Sequence, residues 1–286
     1  MDKILLILSS ILIGLTLILI QYLIQTNNLT NPIKFLNPSS LVPNKSSKNL
    51  NKPTFLICGI NNSGKTSLFY KLTTGEFKLT ISSIEKNIGE INLPFAKPSI
   101  SKKFQIIDYP GHLKYWNLFK NLVVSDIKLN NIKGIIIVID SSSKKWSNGS
   151  IEMENLIKFL YNLISITERK QNGIDYLFAV NKNDLFDSLP VLKIKSILES
   201  EINKLINNEI NNINKTSGID KETTEKNEEE LENNENLREF WLSIIGTSQN
   251  FKFEKLEGNM DFIGGSILKN KIEKWEDWLD EKVMNP

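Results

Sequence analysis

Residues 59–66 carry the residue types that bind the phosphates of a nucleotide. They read Gly-Ile-Asn-Asn-Ser-Gly-Lys-Thr. Glycines let backbone amides approach phosphate oxygens, lysine meets their charge, and the threonine hydroxyl is a ligand for Mg²⁺. The segment therefore predicts a phosphate-binding loop, with these nucleotide-binding residues: Gly59, Ile60, Asn61, Asn62, Ser63, Gly64, Lys65, Thr66 and Ser67.

A second segment, Asn181-Lys182-Asn183-Asp184, predicts which base is bound. The Asp184 carboxylate can accept hydrogen bonds from guanine N1–H and the 2-amino group, a donor pair that adenine lacks. Leaving that carboxylate unpaired would cost on the order of 1–3 kcal/mol. We expect Asn181 and Lys182 to contribute to the same site, Lys182 along the base plane. The sequence thus predicts GTP as the nucleotide.

One further base contact should lie between the last strand and the last helix. Residues 265–267 fit that position better than residues 247–248, because a predicted strand precedes them and a helix follows. We therefore expect the backbone amides of Ser266 and Ile267 at guanine O6.

Asp108-Tyr109-Pro110-Gly111-His112 follows a predicted strand and has the residues of a nucleotide-sensing switch. A carboxylate at Asp108 can hold Mg²⁺ through water, and the Gly111 amide can sense the γ-phosphate. His112 is either the residue that orients the attacking water or an exposed loop imidazole.

The other switch is expected within residues 80–84, with Thr80, Ile81, Ser82 and Ser83 as nucleotide-binding residues. Either Thr80 or Ser82 would reach Mg²⁺. The chain has only two arginines, Arg169 and Arg238, and neither lies near a switch in sequence. Without an arginine to stabilise the transition state, intrinsic hydrolysis should be slow.

Strand-like and helix-like segments alternate from residue 54 onward. This alternation predicts an α/β fold, a P-loop NTPase of the Ras/Arf-like type, with a mostly parallel six-stranded sheet and helices on both faces. The strands located by pattern are 54–58, 104–108, 134–140, 176–180 and 260–264, and the helices are 65–72, 151–166, 191–206, 237–245 and 269–282.

An uncharged apolar run at residues 4–24 predicts a transmembrane helix, because 21 residues reach about 31 Å as a helix. A cleaved signal peptide and a buried core helix are the alternatives. Residues 25–53 read as a flexible tether, and the lysines after the run favour a cytosolic location for residues 54–286. Residues 207–236, rich in Asn and Glu, predict a disordered insertion, with an acidic docking tail as the alternative.

Composition adds two limits. The net charge of +2 gives no electrostatic case for binding nucleic acid directly. The single cysteine, Cys58, cannot form an internal disulfide and is expected to be a reduced thiol in a core strand.

In the identity and order of these motifs, the chain resembles the beta subunit of the signal recognition particle receptor, a family related to the Arf and Sar GTPases. The matching segments are the phosphate-binding loop, Thr-Ile-Ser-Ser-Ile at 80–84, Asp-Tyr-Pro-Gly-His at 108–112, Asn-Lys-x-Asp at 181–184, Phe-Ile-Gly-Gly-Ser-Ile at 262–267 and the N-terminal span.

The resemblance implies a single-pass protein of the endoplasmic reticulum membrane that binds GTP and Mg²⁺. It further implies that the GTP state recruits the alpha subunit of that receptor, through residues 80–84 and 108–116. Ribosome–nascent chain complexes would thereby reach the translocon.

Three other functions stay open from the sequence. A coat-recruiting Arf- or Sar-like GTPase usually has a reversible amphipathic helix, whereas residues 4–24 have no polar face. A membrane-bound P-loop ATPase or kinase would not discriminate between ATP and GTP. A pseudo-GTPase would keep bound GTP intact.

Overall fold

The computed structural model describes residues 52–147, 150–216, 228–246 and 250–284. The predicted transmembrane helix at 4–24 and nearly all of the tether at 25–53 lie outside these ranges. Within them, no helix is long and apolar enough to cross a bilayer.

Six strands form one sheet in the order β2-β3-β1-β4-β5-β6. Every neighbouring pair is parallel except β2 and β3, which are antiparallel. The strands are β1 (Thr54–Cys58), β2 (Asn87–Leu93), β3 (Lys102–Asp108), β4 (Ile132–Asp140), β5 (Tyr176–Asn181) and β6 (Met260–Gly264). The predicted mostly parallel, six-stranded α/β fold is confirmed.

Helices cover both faces of the sheet. They are α1 (Lys65–Thr74), α2 (Trp116–Asn121), α3 (Ile151–Thr167), α4 (Val191–Thr216), α5 (Glu228–Ile245) and α6 (Glu273–Met284). α1 and α6 pack on one face, against a cluster that includes Phe55, Ile57 and Val138. α2 to α5 pack on the other face, against Leu56, Ile137 and their neighbours. Because successive residues of a strand point to opposite faces, β4 contributes to both cores, and nearly all of it is buried.

Two elements near the site were not located by sequence pattern. β2 alternates between exposed and half-buried side chains before ending buried, and its register with β3 runs from Asn87↔Asp108 to Leu93↔Lys102. α2 is only six residues long. Both border the switch segments, and α2 is too short to show a helical period.

The predicted disordered insertion at 207–236 needs correction at both ends. α4 continues to Thr216 and α5 begins at Glu228, whereas residues 217–227 lie outside the described ranges. The reason is visible in the sequence: isoleucines at 202, 206, 210 and 213 keep the helical spacing of α4 going past residue 206.

Candidate nucleotide-binding site

The turn between β1 and α1 exposes the helix N-terminus to a cleft. Gly59 and Gly64 both have positive φ, 134° and 102°, a region that side-chain-bearing residues rarely adopt. A Cβ on Gly59 would lie 2.4 Å from the Val138 carbonyl oxygen, so no larger residue fits there. The first-turn amides of α1 are therefore presented at the end of the loop, where they favour an anion.

Lys65 lies under this loop rather than in solvent. Its side chain is buried and its Nζ donates to the Ile60 carbonyl oxygen at 2.7 Å. Burial lowers the pKa of Lys65 to about 8, although the nearby Asp108 carboxylate acts in the opposite direction. A buried cation whose charge is poorly compensated suits a phosphate group, which would restore the stability of the charged form.

Thr66, Ser83, Asn87 and Asp108 form one polar cluster beside the loop. The Thr66 hydroxyl donates to Asp108 Oδ2 at 2.8 Å and lies 2.9 Å from the Ser83 hydroxyl oxygen. Asn87 Nδ2 donates to the same Asp108 oxygen at 2.8 Å. Asp108 Oδ1 is buried and has no hydrogen-bond partner among the described residues. Burial raises the pKa of Asp108, so this carboxylate gains from a cation.

This cluster fits Mg²⁺, which prefers oxygen ligands and keeps several waters. Thr66 and Asp108 stand where the sequence predicted metal contacts. The described residues include no cluster of three or more His, Cys, Asp or Glu side chains that could hold a metal by themselves. The cation would therefore depend on hydroxyls, one carboxylate and the bound phosphates.

The predicted switch residues for the metal, Thr80 or Ser82, are not the ones that reach the cluster in this conformation. Thr80 Oγ1 lies 3.0 Å from the Ser67 hydroxyl oxygen, and Ser82 donates to Asn62 Oδ1 at 3.3 Å. Ser83 reaches the cluster instead; it is the closest of the three in sequence to β2, whose Asn87 donates to it at 3.2 Å.

Asn181 joins the base end of the cleft to the phosphate end. Its Nδ2 donates to the Ser63 carbonyl oxygen at 2.8 Å, and its Oδ1 accepts from the Ile267 amide at 3.1 Å. One side-chain amide thus links the end of β5, the phosphate-binding loop and the loop after β6.

Lys182, with φ at 64°, lies across the same junction. Its Nζ donates to the Asn62 carbonyl oxygen at 3.0 Å and to Asp140 Oδ2 at 2.6 Å. Asp140, at the end of β4, is 3% exposed, and its other oxygen accepts from the Ser142 amide and hydroxyl. The sequence motif did not identify Asp140; its only signal is a carboxylate at the end of a buried strand next to β5.

The amides predicted to contact guanine O6 donate to protein acceptors in this conformation, and their contact with the base stays a prediction. The Ser266 amide donates to the Lys271 carbonyl oxygen at 3.1 Å, and the Ile267 amide donates to Asn181. Both donors are thus engaged within the protein, because residues 266–271 form a closed turn. The Leu268 amide, one residue further, donates to no acceptor among the described residues and lines the cleft.

A cavity of about 390 Å³ extends from the phosphate-binding loop to the loop after β6. Asp184 lies at its base end and is exposed, so its carboxylate is accessible to a ligand. Phe77, Leu79, Leu185 and Leu268 were not predicted but also border the cavity. The predicted residues that line it are Asn61, Asn62, Gly64, Lys65, Thr66, Ser67, Thr80, Ile81, Ser82, Ser83, Gly111, Asn181, Lys182, Asp184, Ser266 and Ile267.

His112 does not border this cavity. Its Nδ1 accepts from the Lys114 amide at 3.1 Å, its carbonyl accepts from the Tyr115 amide, and the residue is exposed. The ring lines a separate small pocket with Tyr109 and Phe159. His112 is thus outside the cavity lining in this conformation, and its role in orienting water stays a prediction. Neither Arg169 nor Arg238 borders the nucleotide cavity.

Cys58, the last residue of β1, is a buried free thiol whose pKa is raised by burial. The predicted inert core cysteine is confirmed.

Comparisons with known proteins agree with this geometry. A family model described as signal recognition particle receptor beta subunit matches residues 50–260. The signal recognition particle receptor subunit beta of Saccharomyces cerevisiae is 33% identical over 234 residues, which cover 81% of this chain and 85% of that protein. The human subunit beta is 27% identical over 154 residues, or 52% of this chain and 51% of that protein.

Solved structures share the fold. The mammalian signal recognition particle receptor matches with a TM-score of 0.55 at 22% identity, over 80% of this chain and 99% of that one. A Chaetomium thermophilum structure described as the SRb-GTP/SRX complex gives 0.56 at 21%, over 80% and 98%. One described as SRb-GDP-Mg, from the same organism, gives 0.53 at 22%, over 81% and 98%. At these identities the likeness establishes the Arf-like P-loop GTPase fold.

Proposed function

The chain belongs to the family of signal recognition particle receptor beta subunits, and from that premise we propose that it is a GTP-gated recruiter of the receptor alpha subunit at the endoplasmic reticulum membrane. In this proposal Mg²⁺·GTP orders the switch segments, the ordered surface binds the alpha subunit, and hydrolysis releases it.

The nucleotide part of the proposal is supported by complementary groups at the two ends of one cavity. Amides at the start of α1 and the Lys65 ammonium suit phosphates, and the exposed Asp184 carboxylate suits the paired donors of guanine. Bound Mg²⁺ would neutralise part of the phosphate charge, with Thr66 and Asp108 on its protein side. Structural neighbours described as carrying GTP, or GDP with Mg, accord with this choice.

The recruitment part of the proposal is supported by one observation: the polar cluster around Asp108 is joined directly to an exposed apolar segment, residues 79–84. Ser83, in contact with Thr66, directly precedes Ile84, which is 76% exposed. Leu79 and Ile81 on the same segment are 91% and 90% exposed. Apolar side chains this exposed favour burial by a partner. Because the cluster holds one end of this segment, a change at the cation site changes the surface that a partner meets.

The partner and the membrane come from family relations. The Chaetomium thermophilum neighbour is described as a complex of SRb-GTP with SRX, which supports an alpha-subunit partner here. We propose single-pass anchoring by residues 4–24, with the GTPase domain in the cytosol and delivery of ribosome–nascent chain complexes to the translocon as the outcome.

Hydrolysis by the isolated chain should be slow. No arginine borders the cavity, and His112 is not among its lining residues. A single-turnover measurement on the purified full chain tests this, and a rate comparable to that of activated GTPases would contradict it.

The full chain, purified in neutral detergent and loaded with a non-hydrolysable GTP analogue or with GDP, tests gating directly. We expect capture of the alpha subunit only in the GTP-analogue state. Thr66→Asn should lose capture because its amide is a poorer Mg²⁺ ligand than the hydroxyl. Ser196→Ala, which removes an exposed hydroxyl on α4, is the control and should capture normally. Equal capture by Thr66→Asn and the unaltered chain would refute gating.

A further inference from the structure

A second pocket lies at the edge of the sheet opposite the nucleotide cavity. Pro53 precedes β1, Lys102 begins β3 and Lys133 is the second residue of β4, and all three line this pocket of about 450 Å³. Since β1, β3 and β4 are parallel, their amino ends meet at this edge, and the nucleotide site occupies the other. The two pockets are therefore separate sites.

The polar lining of this pocket is cationic. Lys102 is exposed, Lys133 is half-buried, and Lys282 contributes a third ammonium. Among the described residues, no acidic side chain lines it. Lys282 pairs with Asp175 at 3.0 Å, so Lys102 and Lys133 supply the uncompensated charge. The pocket thus has an excess of positive charge.

A fourth lysine, Lys170, contacts the start of β4 without lining this pocket. Lys170 Nζ donates to the carbonyl oxygen of Ile132, the residue next to Lys133. Burial lowers the pKa of Lys170 and the Lys133 charge lowers it further, whereas the Asp175 carboxylate acts in the opposite direction. The charges of Lys133 and Lys170 repel each other, and an anion beside Lys133 would reduce this repulsion.

The remaining lining is apolar and firmly built. It consists of Pro53, Leu93, Pro94, Ile100, Phe104, Val283 and Met284. The Asp280 carboxylate accepts from the amides of Phe95 and Ala96 at 2.6 and 2.8 Å, which fixes the wall at Pro94 to α6. At the rim, Ile100 is 57% exposed and Met284 47%. Lysines beside an apolar wall match a ligand that is anionic at one end and apolar at the other.

We infer that this pocket binds the headgroup of an anionic phospholipid at a bilayer surface, with the phosphate near Lys102 and Lys133 and the glycerol and upper acyl chain on the apolar wall. The inference rests on the membrane anchoring proposed above, because Pro53 is the last residue of the segment predicted to tether the domain. The edge where the chain enters the domain is then the edge that meets lipid.

The test uses the full chain incorporated into nanodiscs of phosphatidylcholine alone or with increasing mole fractions of phosphatidylserine. Amide hydrogen exchange is followed in residues 93–104 and 280–284. We expect slower exchange of these segments in the anionic discs only. In Lys102→Glu/Lys133→Glu, the phosphatidylserine fraction that gives half of the effect should rise by roughly fivefold for each lysine. The control Lys158→Glu/Lys193→Glu changes the same charge on exposed sites of α3 and α4 and should behave as the unaltered chain.

Each outcome separates the possibilities. Equal exchange in neutral and anionic discs overturns the lipid site while leaving the anchor intact. Protection by glycerol phosphate in neutral discs that equals the effect of phosphatidylserine overturns the bilayer as the source. A chain that stays free of both kinds of disc refutes the anchor and the lipid site together, whereas GTP-dependent capture in detergent would still report the nucleotide gate.

Discussion

The ion pair between Asp140 and Lys182 gives the sharpest test of how the base end of the cleft is held. Asp140 is 3% exposed, and its Oδ2 is 2.6 Å from Lys182 Nζ, which also donates to the Asn62 carbonyl oxygen. Asp140→Asn preserves side-chain size and can still accept from Ser142, but it removes the charge facing Lys182. We expect a folded protein with a misplaced lysine and weaker nucleotide binding.

The size of the effect follows from the burial of the two partners. Removing one member of a fully buried pair costs about 3–5 kcal/mol, whereas an exposed pair contributes about 0.2–1 kcal/mol. Here Asp140 is buried but the Lys182 side chain is 36% exposed, so an intermediate value of about 2 kcal/mol is appropriate. If all of this cost falls on the nucleotide complex, it sets an upper limit of a roughly thirtyfold loss of affinity. GTP and GDP should lose equally, because the γ-phosphate lies at the other end of the cleft.

A double-mutant cycle measures this directly. Affinities for GTP and GDP are determined by titration calorimetry for Asp140→Asn, Lys182→Met and the double variant. If Asp140 acts by holding Lys182, the double variant should bind no more weakly than Lys182→Met alone. Independent, additive losses would refute the reasoning.

Glu254→Gln is the control for breaking an ion pair elsewhere. It removes the partner of Lys195 on an exposed face, and nucleotide affinity should not change. A comparable loss of affinity in this variant would mean that charge changes act on the cleft generally and that the Asp140 pair has no special role.

Three further predictions concern the same cleft. Ser83→Ala should lower Mg²⁺-dependent GTP affinity several-fold, whereas Ser82→Ala should leave it near normal. Titrating Mg²⁺ with fluorescent GTP present compares the affinities of the two variants, and a larger loss in Ser82→Ala would contradict the role of Ser83. The pKa of Lys65 is about 8, and a bound phosphate would raise it, so nucleotide binding should take up roughly half a proton at pH 8 and almost none at pH 6.5. Nucleotide affinity should therefore fall as the pH rises past 8. Calorimetry in buffers of different ionisation enthalpy measures the proton uptake, and an uptake that is equal at the two pH values would argue against this role of Lys65. Asp184→Asn should lose most of its preference for GTP over ATP, and competition between the two nucleotides checks this, with retained discrimination as the contrary result.

Sequence reasoning located the strands whose pattern is strongest. β1, β4 and β5 are buried almost throughout, so their apolar runs stand out, and the phosphate-binding loop and Asn181-Lys182-Asn183-Asp184 follow two of them directly. The parallel arrangement then brings the two motifs to the same edge of the sheet. This is why motif and context together predicted most of the cleft lining.

The parts that sequence did not resolve depend on contacts between loops. Whether Thr80, Ser82 or Ser83 meets Thr66 depends on the path of a segment without regular structure, and three neighbouring hydroxyl residues have the same chemistry. The sequence predicts that the Ser266 and Ile267 amides are free to contact guanine O6. In the structure they donate instead to the Lys271 carbonyl oxygen and to Asn181 Oδ1. Such competition between protein and ligand for one donor has no signature in spacing.

The ends of α4 and α5 were mispredicted from the sequence for a different reason. Asn, Glu and Lys are common in disordered segments, but they are also compatible with an exposed helix face when an apolar stripe is present. Composition outweighed the sparse isoleucines in the prediction.

The two ends of the Asn181 amide have a consequence for nucleotide release. One end donates to the phosphate-binding loop and the other accepts from the loop after β6, so neither loop can move away from β5 without disturbing the same side chain. Opening at the base end and loosening at the phosphate end should then occur as one concerted event, and a factor that promotes exchange would need to act on only one of the loops to release the other.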